Sequence, residues 1–174
     1  MKINASNLEE ILAARESREK RRVSLIREYR LPVVSFTLNI PGPVKDKPLY
    51  RKVFDEGMEE ITIALGGNTI SHREIVYLTT GPEAFLCVDM AASQIKAEAV
   101  EIENNHPLGR LFDYDVFDSS FVKLNRTELG LPERHCLICE EKATLCARSK
   151  KHNLGELLNR IEGIANTYMQ RNMG

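Results

Sequence analysis

The sequence lacks the features that mark several special classes of protein. It contains no tryptophan, it has 24 basic residues against 25 acidic ones, and no apolar run approaches the roughly 20 residues of a membrane-spanning helix. The balanced charge gives no general attraction to nucleic acid or to an anionic membrane, and we expect neither as a partner. Hydrophobic residues make up 43% of the 174 residues, enough for one globular domain with a sizeable core. Composition therefore excludes membrane, collagen-like, disordered and disulfide-framework proteins, and it indicates no function.

Cysteine is scarce and unevenly distributed, with four residues in the chain. Cys87 stands alone in an apolar run, which predicts a buried, reduced and inert thiol. The first residues, MKINASNLEE, are polar and acidic, unlike a secretory signal, so we expect a cytoplasmic protein with reduced thiols. Cys136, Cys139 and Cys146 lie close together, and His152 follows them. Four such ligands could bind zinc, but their spacing is compressed, and the sequence favours packed reduced thiols over a zinc site.

Hydrophobic periodicity predicts an α+β domain in which helices cover a mixed or antiparallel sheet. Ser6 and Glu9 have the spacing of a capping box, so the first helix is expected to start beside them. The last two strands are expected to form a hairpin around residues 118–120. The predicted helices cover residues 7–29, 48–65, 93–103 and 153 onward, and the predicted strands cover residues 34–40, 75–79, 84–89, 111–117 and 121–124.

The first predicted helix is locally basic. Residues 15–30 hold seven basic and three acidic side chains, a local excess of four positive charges. Mixed charge runs of this kind usually form a solvated helix face, which is the favoured interpretation. The alternative is a docking surface for an acidic partner.

The stretch from His106 to Val116 reads HPLGRLFDYDV and carries the strongest chemical signal. Because alternate side chains of a strand share a face, Asp113 and Asp115 should stand side by side, with their neighbours pointing into the core. Adjacent carboxylates repel each other and favour a cation between them, and Mg²⁺ prefers such oxygen ligands. Gly109 and Arg110 lie just upstream, where turn amides and a guanidinium could contact phosphate. The pattern predicts a phosphate and metal site, with solvated strand carboxylates as the alternative.

Several separated motifs, in order along the chain, resemble those of one enzyme family. They are PVVSFT at 32–37 with PGPVKD at 41–46, GPE at 81–83, HPLGRLFDYDV at 106–116, RHCLIC at 134–139, CAR at 146–148 and LLNR at 157–160. Through them the chain resembles the apo-citrate lyase phosphoribosyl-dephospho-CoA transferases, the CitX family, over nearly its full length. The segment from 109 to 116 also matches a signature shared with the enzymes that modify the malonate decarboxylase carrier.

The resemblance implies a fold and a reaction. It implies a single transferase domain over residues 1–174 with a nucleotidyltransferase-like sheet, a helical segment at 1–30, and a cysteine-containing segment and helix at 134–174. The implied reaction moves the phosphoribosyl-dephospho-CoA group from triphosphoribosyl-dephospho-CoA to a serine of the citrate lyase acyl-carrier (gamma) subunit and releases pyrophosphate.

The resemblance also implies site residues. Asp113 and Asp115 would hold Mg²⁺, and Arg110 would meet the triphosphate. A third carboxylate commonly completes such a site, and Asp89 and Asp46 are both candidates. Asp89 stands at the end of its predicted strand, and nothing in the sequence chooses between the two.

Four further residues are candidates for binding substrate. Lys45 follows the rigid Pro-Gly-Pro turn and could present a point charge to phosphate. His106 could accept the serine proton or cap the preceding helix, and the two roles rank equally. Arg134 and Arg148 could contact the phosphates derived from CoA or an acidic carrier.

A different class of function competes with the transferase. The basic first helix and the cluster of three cysteines and a histidine would also suit a non-catalytic, zinc-stabilised module that binds an acidic protein. Nucleic-acid binding is disfavoured because charge is balanced and no aromatic, basic platform is present.

Overall fold

The computed structural model describes residues 7–172, and within them the chain folds into five α-helices and four strands. The sheet has the strand order β2-β3-β1-β4, and every neighbouring pair is antiparallel. This confirms the predicted α+β class and the antiparallel alternative for the sheet. The helices are α1 (Leu8–Tyr29), α2 (Pro48–Leu65), α3 (Ala92–Asn105), α4 (Ala143–Ser149) and α5 (Leu154–Arg171), and the strands are β1 (Val33–Leu38), β2 (Ile70–Leu78), β3 (Gly81–Val88) and β4 (Phe112–Phe117).

The main core lies on the face of the sheet that α2, α3 and α5 cover. Phe36 of β1 stacks on Phe54 of α2 with ring centroids 4.7 Å apart, and on Tyr114 of β4 at 4.4 Å. Gly57 lets α2 approach this cluster, because a Cβ there would lie 2.5 Å from the Phe36 ring and 2.9 Å from Phe112. This close approach packs α2 on Phe112 of β4 and fixes the face of the strand that points to the core. The residues that alternate with its core side chains therefore point to the opposite face.

Among residues 7–172, α1 covers the second face of the sheet. Leu25 and Ile26, near the end of this helix, pack on Val33, Phe85 and Cys87 of the strands below. Cys87 is fully buried with a free thiol, which confirms the predicted burial and reduced state. Burial raises its pKa to about 11, in line with the low reactivity that the sequence predicts. The first half of α1 buries no apolar side chain and leaves a polar cleft between itself and the sheet.

The basic run of α1 faces the sheet more than the sequence suggested. Arg18 pairs with Glu83 of β3 at 2.5 Å, and Arg21 pairs with Glu74 of β2 at 2.5 Å. Arg22 lies over the Phe117 ring, 3.7 Å from its centroid. The favoured interpretation of a solvated helix face is therefore wrong for these three arginines, which join α1 to the strands.

Two local predictions also change. The capping box of α1 is formed by Asn7 and Glu10, whereas Ser6 lies outside the described residues. The predicted strand at 121–124 is wrong, since the chain there forms a turn with one isolated bridge, Phe117 to Lys123. The chain does turn back along β4 as the hairpin prediction requires, since the Asp118 amide donates to the Val122 carbonyl and the Leu124 amide to the Val116 carbonyl, both at 2.9 Å. The Asp118 side chain accepts hydrogen bonds from the amides of two turn residues, so the returning segment makes no longer ladder. The predicted segment boundaries at 1–30 and 134–174 stay a prediction.

The described residues include no helix both long enough and apolar enough to cross a bilayer.

Candidate active site

A pair of carboxylates lies on the α1 side of the edge strand β4. Phe112, Tyr114 and Val116 are buried in the core, while Asp113 and Asp115 alternate with them and are partly exposed. The two carboxylates therefore share one face of the strand, as the alternation of the sequence predicts. Their side chains retain 43% and 34% of their exposure, so they are accessible from solvent.

Each carboxylate of the pair already faces a cation. Arg134 approaches Asp113 at 3.3 Å, and Lys123 pairs with Asp115 at 2.7 Å. Burial and the neighbouring Asp115 nevertheless raise the pKa of the Asp113 carboxyl, and Arg134 opposes this rise. The pair is thus a site of concentrated negative charge where a further cation would be favoured.

Buried polar side chains of α3 hold β4 from its open edge. The Tyr114 amide donates to Glu103 Oε1 at 3.0 Å, and Lys96 Nζ donates to the Tyr114 carbonyl at 2.9 Å. Glu103 also pairs with Arg126, and with Arg134 at 2.5 Å. These contacts satisfy backbone groups of an edge strand that has no further strand beside it.

Sequence reasoning missed this buried network. A signal was present, because Lys96 and Glu103 are seven residues apart and each directly follows a core isoleucine of α3. That spacing puts both on one face of the helix. Burial lowers the pKa of Lys96, and the nearby Glu103 and Asp115 only partly oppose this shift.

The cleft beneath the first half of α1 concentrates positive charge beside Asp113. It has a volume of about 190 Å³, and its walls include Arg15, Arg18, Lys45 and Asp113. Lys45 Nζ donates to the carbonyl of Ile40, so the ammonium is held within the loop that follows β1. Burial, together with Arg15 and Arg18, lowers the pKa of Lys45. The structure thus brings the predicted Lys45 to the same cleft as Asp113, and it adds two arginines that sequence reasoning did not assign to the site.

A third carboxylate, Glu83, lies on the same face of the sheet and was not among the candidates. Phe36 of β1 pairs with Ala84 of β3 and with Tyr114 of β4, so Glu83 falls in the row of Thr37 and Asp113. Its side chain is almost fully buried beneath Arg18. Glu83 was visible in the GPE motif, but only the strand register brings it to Asp113.

Neither of the two predicted third carboxylates lies at this cleft. Asp89 follows the far end of β3, where its amide donates to the carbonyl of Thr69 at 2.7 Å. Asp46 is held by Arg51 through two hydrogen bonds of 2.7 Å, and Arg51 lowers the pKa of the Asp46 carboxyl. Neither carboxylate therefore lies where it could complete a metal site with Asp113 and Asp115.

The Gly109 turn packs against α3. A Cβ at Gly109 would lie 2.3 Å from the carbonyl oxygen of Ile102, and the Gly109 amide donates to His106. The turn amide is thus engaged, and the residue type is explained by close packing. Arg110 follows it and lines a different cleft from that of Asp113.

His106 lies on the core side of β4. Its ring stacks on Phe112 with centroids 5.4 Å apart, and its Nδ1 accepts a hydrogen bond from the Leu108 amide at 3.1 Å. Burial lowers the pKa of His106, and the carboxylates of Glu60 and Glu56 oppose this shift. Because Phe112 and Asp113 point to opposite faces, this geometry supports the helix-ending role over the catalytic one.

A larger, mostly apolar cleft adjoins the charged one. It has a volume of about 610 Å³, and Asn39 lines both clefts. Arg110 and Lys150 supply its charges, while Leu137, Leu154, Leu157 and Ile161 supply apolar walls. The predicted Arg148 is exposed on α4 and lines neither cleft.

The three clustered cysteines and His152 do come together in space. The ligand atoms of Cys136, Cys139, Cys146 and His152 all lie within 4.8 Å of one another, so this group could hold a metal ion. It lines the apolar cleft through three of its members and lies apart from the carboxylate pair.

Comparison with known proteins points to one family. The family model for apo-citrate lyase phosphoribosyl-dephospho-CoA transferase, CitX, matches residues 6–168. A protein of that name from Escherichia coli O7:K1 is 38% identical over 165 residues, which is 94% of this chain and 90% of that protein. Proteins of the same name from Shigella boydii serotype 18 and Escherichia coli O157:H7 are 37% identical over the same shares of both chains.

Proposed function

Because the chain belongs to the apo-citrate lyase phosphoribosyl-dephospho-CoA transferase family, and is therefore a transferase, we propose the following reaction for it. The donor is triphosphoribosyl-dephospho-CoA and the acceptor is a serine hydroxyl of the citrate lyase acyl-carrier (gamma) subunit. The serine oxygen forms a bond to the phosphorus next to the ribose, the bond from that phosphorus to the leaving oxygen breaks, and pyrophosphate and the hydroxyl proton are released.

The observation that carries this proposal is the position of the carboxylate pair beside the positively charged cleft. Asp113 and Asp115 share one face of β4, and Asp113 lies in the wall of the cleft with Arg15, Arg18 and Lys45. Such an arrangement suits a polyphosphate that arrives with a metal ion. The cationic side chains would offset the charge of the phosphates, and the metal ion would offset the charge of the carboxylates.

The donor set at the pair fits Mg²⁺. All ligand atoms that Asp113 and Asp115 offer are carboxylate oxygens, which Mg²⁺ prefers. Burial and then the neighbouring Asp115 raise the pKa of Asp113, and a bound cation would offset the repulsion between the two carboxylates. When bound, Mg²⁺ would neutralise charge that develops on the leaving pyrophosphate. Glu83, in the same row of the sheet as Asp113, replaces Asp89 and Asp46 as the proposed third carboxylate.

The cations of the cleft would bind the triphosphate. Arg15 and Arg18 project from α1, and Lys45 projects from the loop after β1, so the phosphates would be held from two sides. Arginine can hold a phosphate through two parallel hydrogen bonds, whereas lysine acts as a point charge. Arg134, which reaches Asp113, would keep this carboxylate in place.

The apolar cleft would take the dephospho-CoA part of the donor. Its leucine and isoleucine walls suit an adenine ring or a pantetheine chain, and Arg110 and Lys150 suit the phosphates between them. Because Asn39 lines both clefts, one extended donor could occupy the two together. This assigns Arg110 to the nucleotide part of the donor instead of the triphosphate.

The test is transfer to the carrier itself. The purified chain is incubated with apo carrier subunit, triphosphoribosyl-dephospho-CoA and Mg²⁺, and the mass of the carrier is followed by mass spectrometry. We expect the wild-type chain to add the prosthetic group, and D113N and D115N to slow transfer by about 100-fold or more. Omission of Mg²⁺ should have a similar effect.

The matched control is D89N, which removes an exposed carboxylate at the far end of β3. It should transfer at the wild-type rate. If D113N and D115N both keep full activity while remaining folded, the assignment of the metal pair is wrong. If the wild-type chain adds nothing to the carrier under any condition, the proposed reaction is wrong and the interaction module becomes the better explanation.

A further inference from the structure

The segment between β4 and α5 contains a tight loop that presents two cysteines. The Cys136 amide donates to the carbonyl of Glu141 at 2.6 Å, and the Ala143 amide donates to the carbonyl of Arg134 at 2.9 Å. These bonds close a narrow loop with Cys136 and Cys139 inside it. The Ile138 amide also points at Cys136 Sγ, at 3.4 Å. Amide donors directed at sulfur are the kind of outer contact that orients a metal-bound cysteine.

The two remaining ligands come from α4 and the residues after it. Cys146 Sγ lies 3.5 Å from Cys139 Sγ, and His152 Nε2 lies 3.3 Å from Cys139 Sγ. Tetrahedral zinc with bonds of about 2.3 Å to sulfur places ligand atoms about 3.7 Å apart. The observed separations need only small adjustments to surround one ion, and all four ligand atoms already lie within 4.8 Å of one another.

This segment has little apolar packing to hold it together. Among residues 118–160, all of them described by the structure, Cys146 is the only one that is buried. Its α4 has seven residues, too short to be stable by itself. Segments without a sufficient core are commonly stabilised by a disulfide or a metal, and all three cysteines here are free thiols.

We propose that Cys136, Cys139, Cys146 and His152 bind one Zn²⁺ that stabilises this segment. Three sulfurs and one imidazole form a closed set that Zn²⁺ favours and that hard cations such as Mg²⁺ do not. The ion stabilises the loop that begins at Arg134, and Arg134 reaches both Glu103 and Asp113. The proposal does not rest on the proposed reaction, because its ligands do not include the carboxylate pair. Three of the ligands nevertheless line the apolar cleft, so loss of the metal would also alter a wall of that cleft.

Metal content tests the proposal directly. The full-length chain is purified under reducing conditions without chelator, and its zinc is measured by inductively coupled plasma mass spectrometry. We expect about one zinc per chain. After exchange with Co²⁺, we expect the visible absorption of a tetrahedral site together with charge-transfer bands from sulfur. C139S and H152A should lose most of the bound metal, whereas C87S should keep it because Cys87 lies in the other core.

A further variant guards against misfolding. H152C retains four ligands, so it should bind Co²⁺ with stronger sulfur charge transfer even if C139S fails to fold. The proposal is overturned if the wild-type chain carries less than about one tenth of an equivalent of zinc, both as purified and after reduction and incubation with Zn²⁺. It is also overturned if the wild-type chain, purified without chelator, contains a disulfide between Cys139 and Cys146 and no metal. A third contrary result would be a C139S variant that binds Co²⁺ as the wild-type chain does.

Discussion

Glu83 of β3 and Asp113 of β4 lie on the same face of the sheet, on either side of Thr37 in the strand between them. Adjacent strands are about 4.8 Å apart, so the two backbones are separated by about 10 Å and their side chains can converge. Arg18 of α1 covers Glu83 at 2.5 Å and also lines the charged cleft. The first half of α1 and the polar end of the sheet therefore form one charged site.

Replacing Glu83 should affect transfer more than stability. E83Q removes the proposed third carboxylate while it preserves the size of the side chain and its ability to contact Arg18. We expect the transfer rate to fall by about 10-fold or more, since the charge that supports the metal pair is reduced. The measurement is the initial rate of carrier modification at saturating donor.

Glu74 offers a matched control for that variant. It also pairs with an arginine of α1, Arg21, at 2.5 Å, but it lies on β2, one strand farther from Asp113 than Glu83. E74Q should therefore change the rate by less than about twofold. Equal rates for E83Q and E74Q would contradict the role proposed for Glu83.

The ionised Asp113 carboxylate should destabilise the folded chain when no metal is bound. Because burial and Asp115 raise the pKa of the Asp113 carboxyl, its ionised form is disfavoured in the folded chain. D113N should consequently have a higher melting temperature than the wild-type chain at neutral pH without metal. The folded chain binds the Asp113 proton more tightly than the unfolded chain does. The free energy of unfolding of the wild-type chain therefore falls as the pH rises from the ordinary pKa of this carboxyl through its raised pKa.

The difference in melting temperature between D113N and the wild-type chain should depend on pH. The advantage of D113N should be largest above the raised pKa of Asp113 and should vanish as the pH falls below the ordinary value of 3.8. Thermal denaturation from pH 3 to pH 8, followed by circular dichroism, measures it. A lower melting temperature for D113N at pH 7 would show that contacts with Arg134 outweigh the repulsion.

Lys45 should contribute mainly to binding of the donor phosphates. K45M removes the charge but keeps an unbranched apolar chain, and we expect the KM for the donor to rise by about 10-fold with a smaller change in kcat. Pyrophosphate should raise the melting temperature of the wild-type chain, and less so that of K45M. Both effects should weaken at high salt, because they depend on charge.

Lys20 is the control for this charge change. It lies on the exposed side of α1, where it pairs with Glu16 at 2.7 Å. K20M should leave the KM for the donor unchanged. A similar loss of pyrophosphate binding in K20M and K45M would indicate general electrostatic attraction instead of a defined phosphate site.

The site could be predicted from the sequence where the relevant pattern is local. The alternation of Asp113 and Asp115 with core residues requires only the geometry of one strand. Glu83 could not be found in this way, because its place in the same row as Asp113 depends on the pairing of β1 with two strands that are distant in the chain. The sequence offered Asp89 and Asp46 with nothing to choose between them. The register puts the Asp89 end of β3 away from the cleft, and Arg51 holds Asp46.

The other errors have local physical causes. The predicted hairpin after β4 forms, but its second arm makes one bridge and no strand, because the Asp118 side chain accepts hydrogen bonds from the amides of Ser120 and Val122. Gly109 suggested a phosphate-binding turn, whereas its small size is required by the carbonyl of Ile102. Sequence patterns show which residue types are special, but several physical reasons lead to the same residue type.

Glu103 should be the most important charged residue for stability. Its side chain is 1% exposed and contacts Arg126, Arg134 and the Tyr114 amide together. E103Q would leave two arginines without their carboxylate, and we expect the free energy of unfolding to fall by about 3 kcal/mol. Urea denaturation measures this as a lower midpoint with an unchanged slope. The exposed pair between Glu133 and Lys142 is the control. E133Q should lower the free energy of unfolding by less than about 0.5 kcal/mol. Equal decreases for E103Q and E133Q would refute a special role for the buried network.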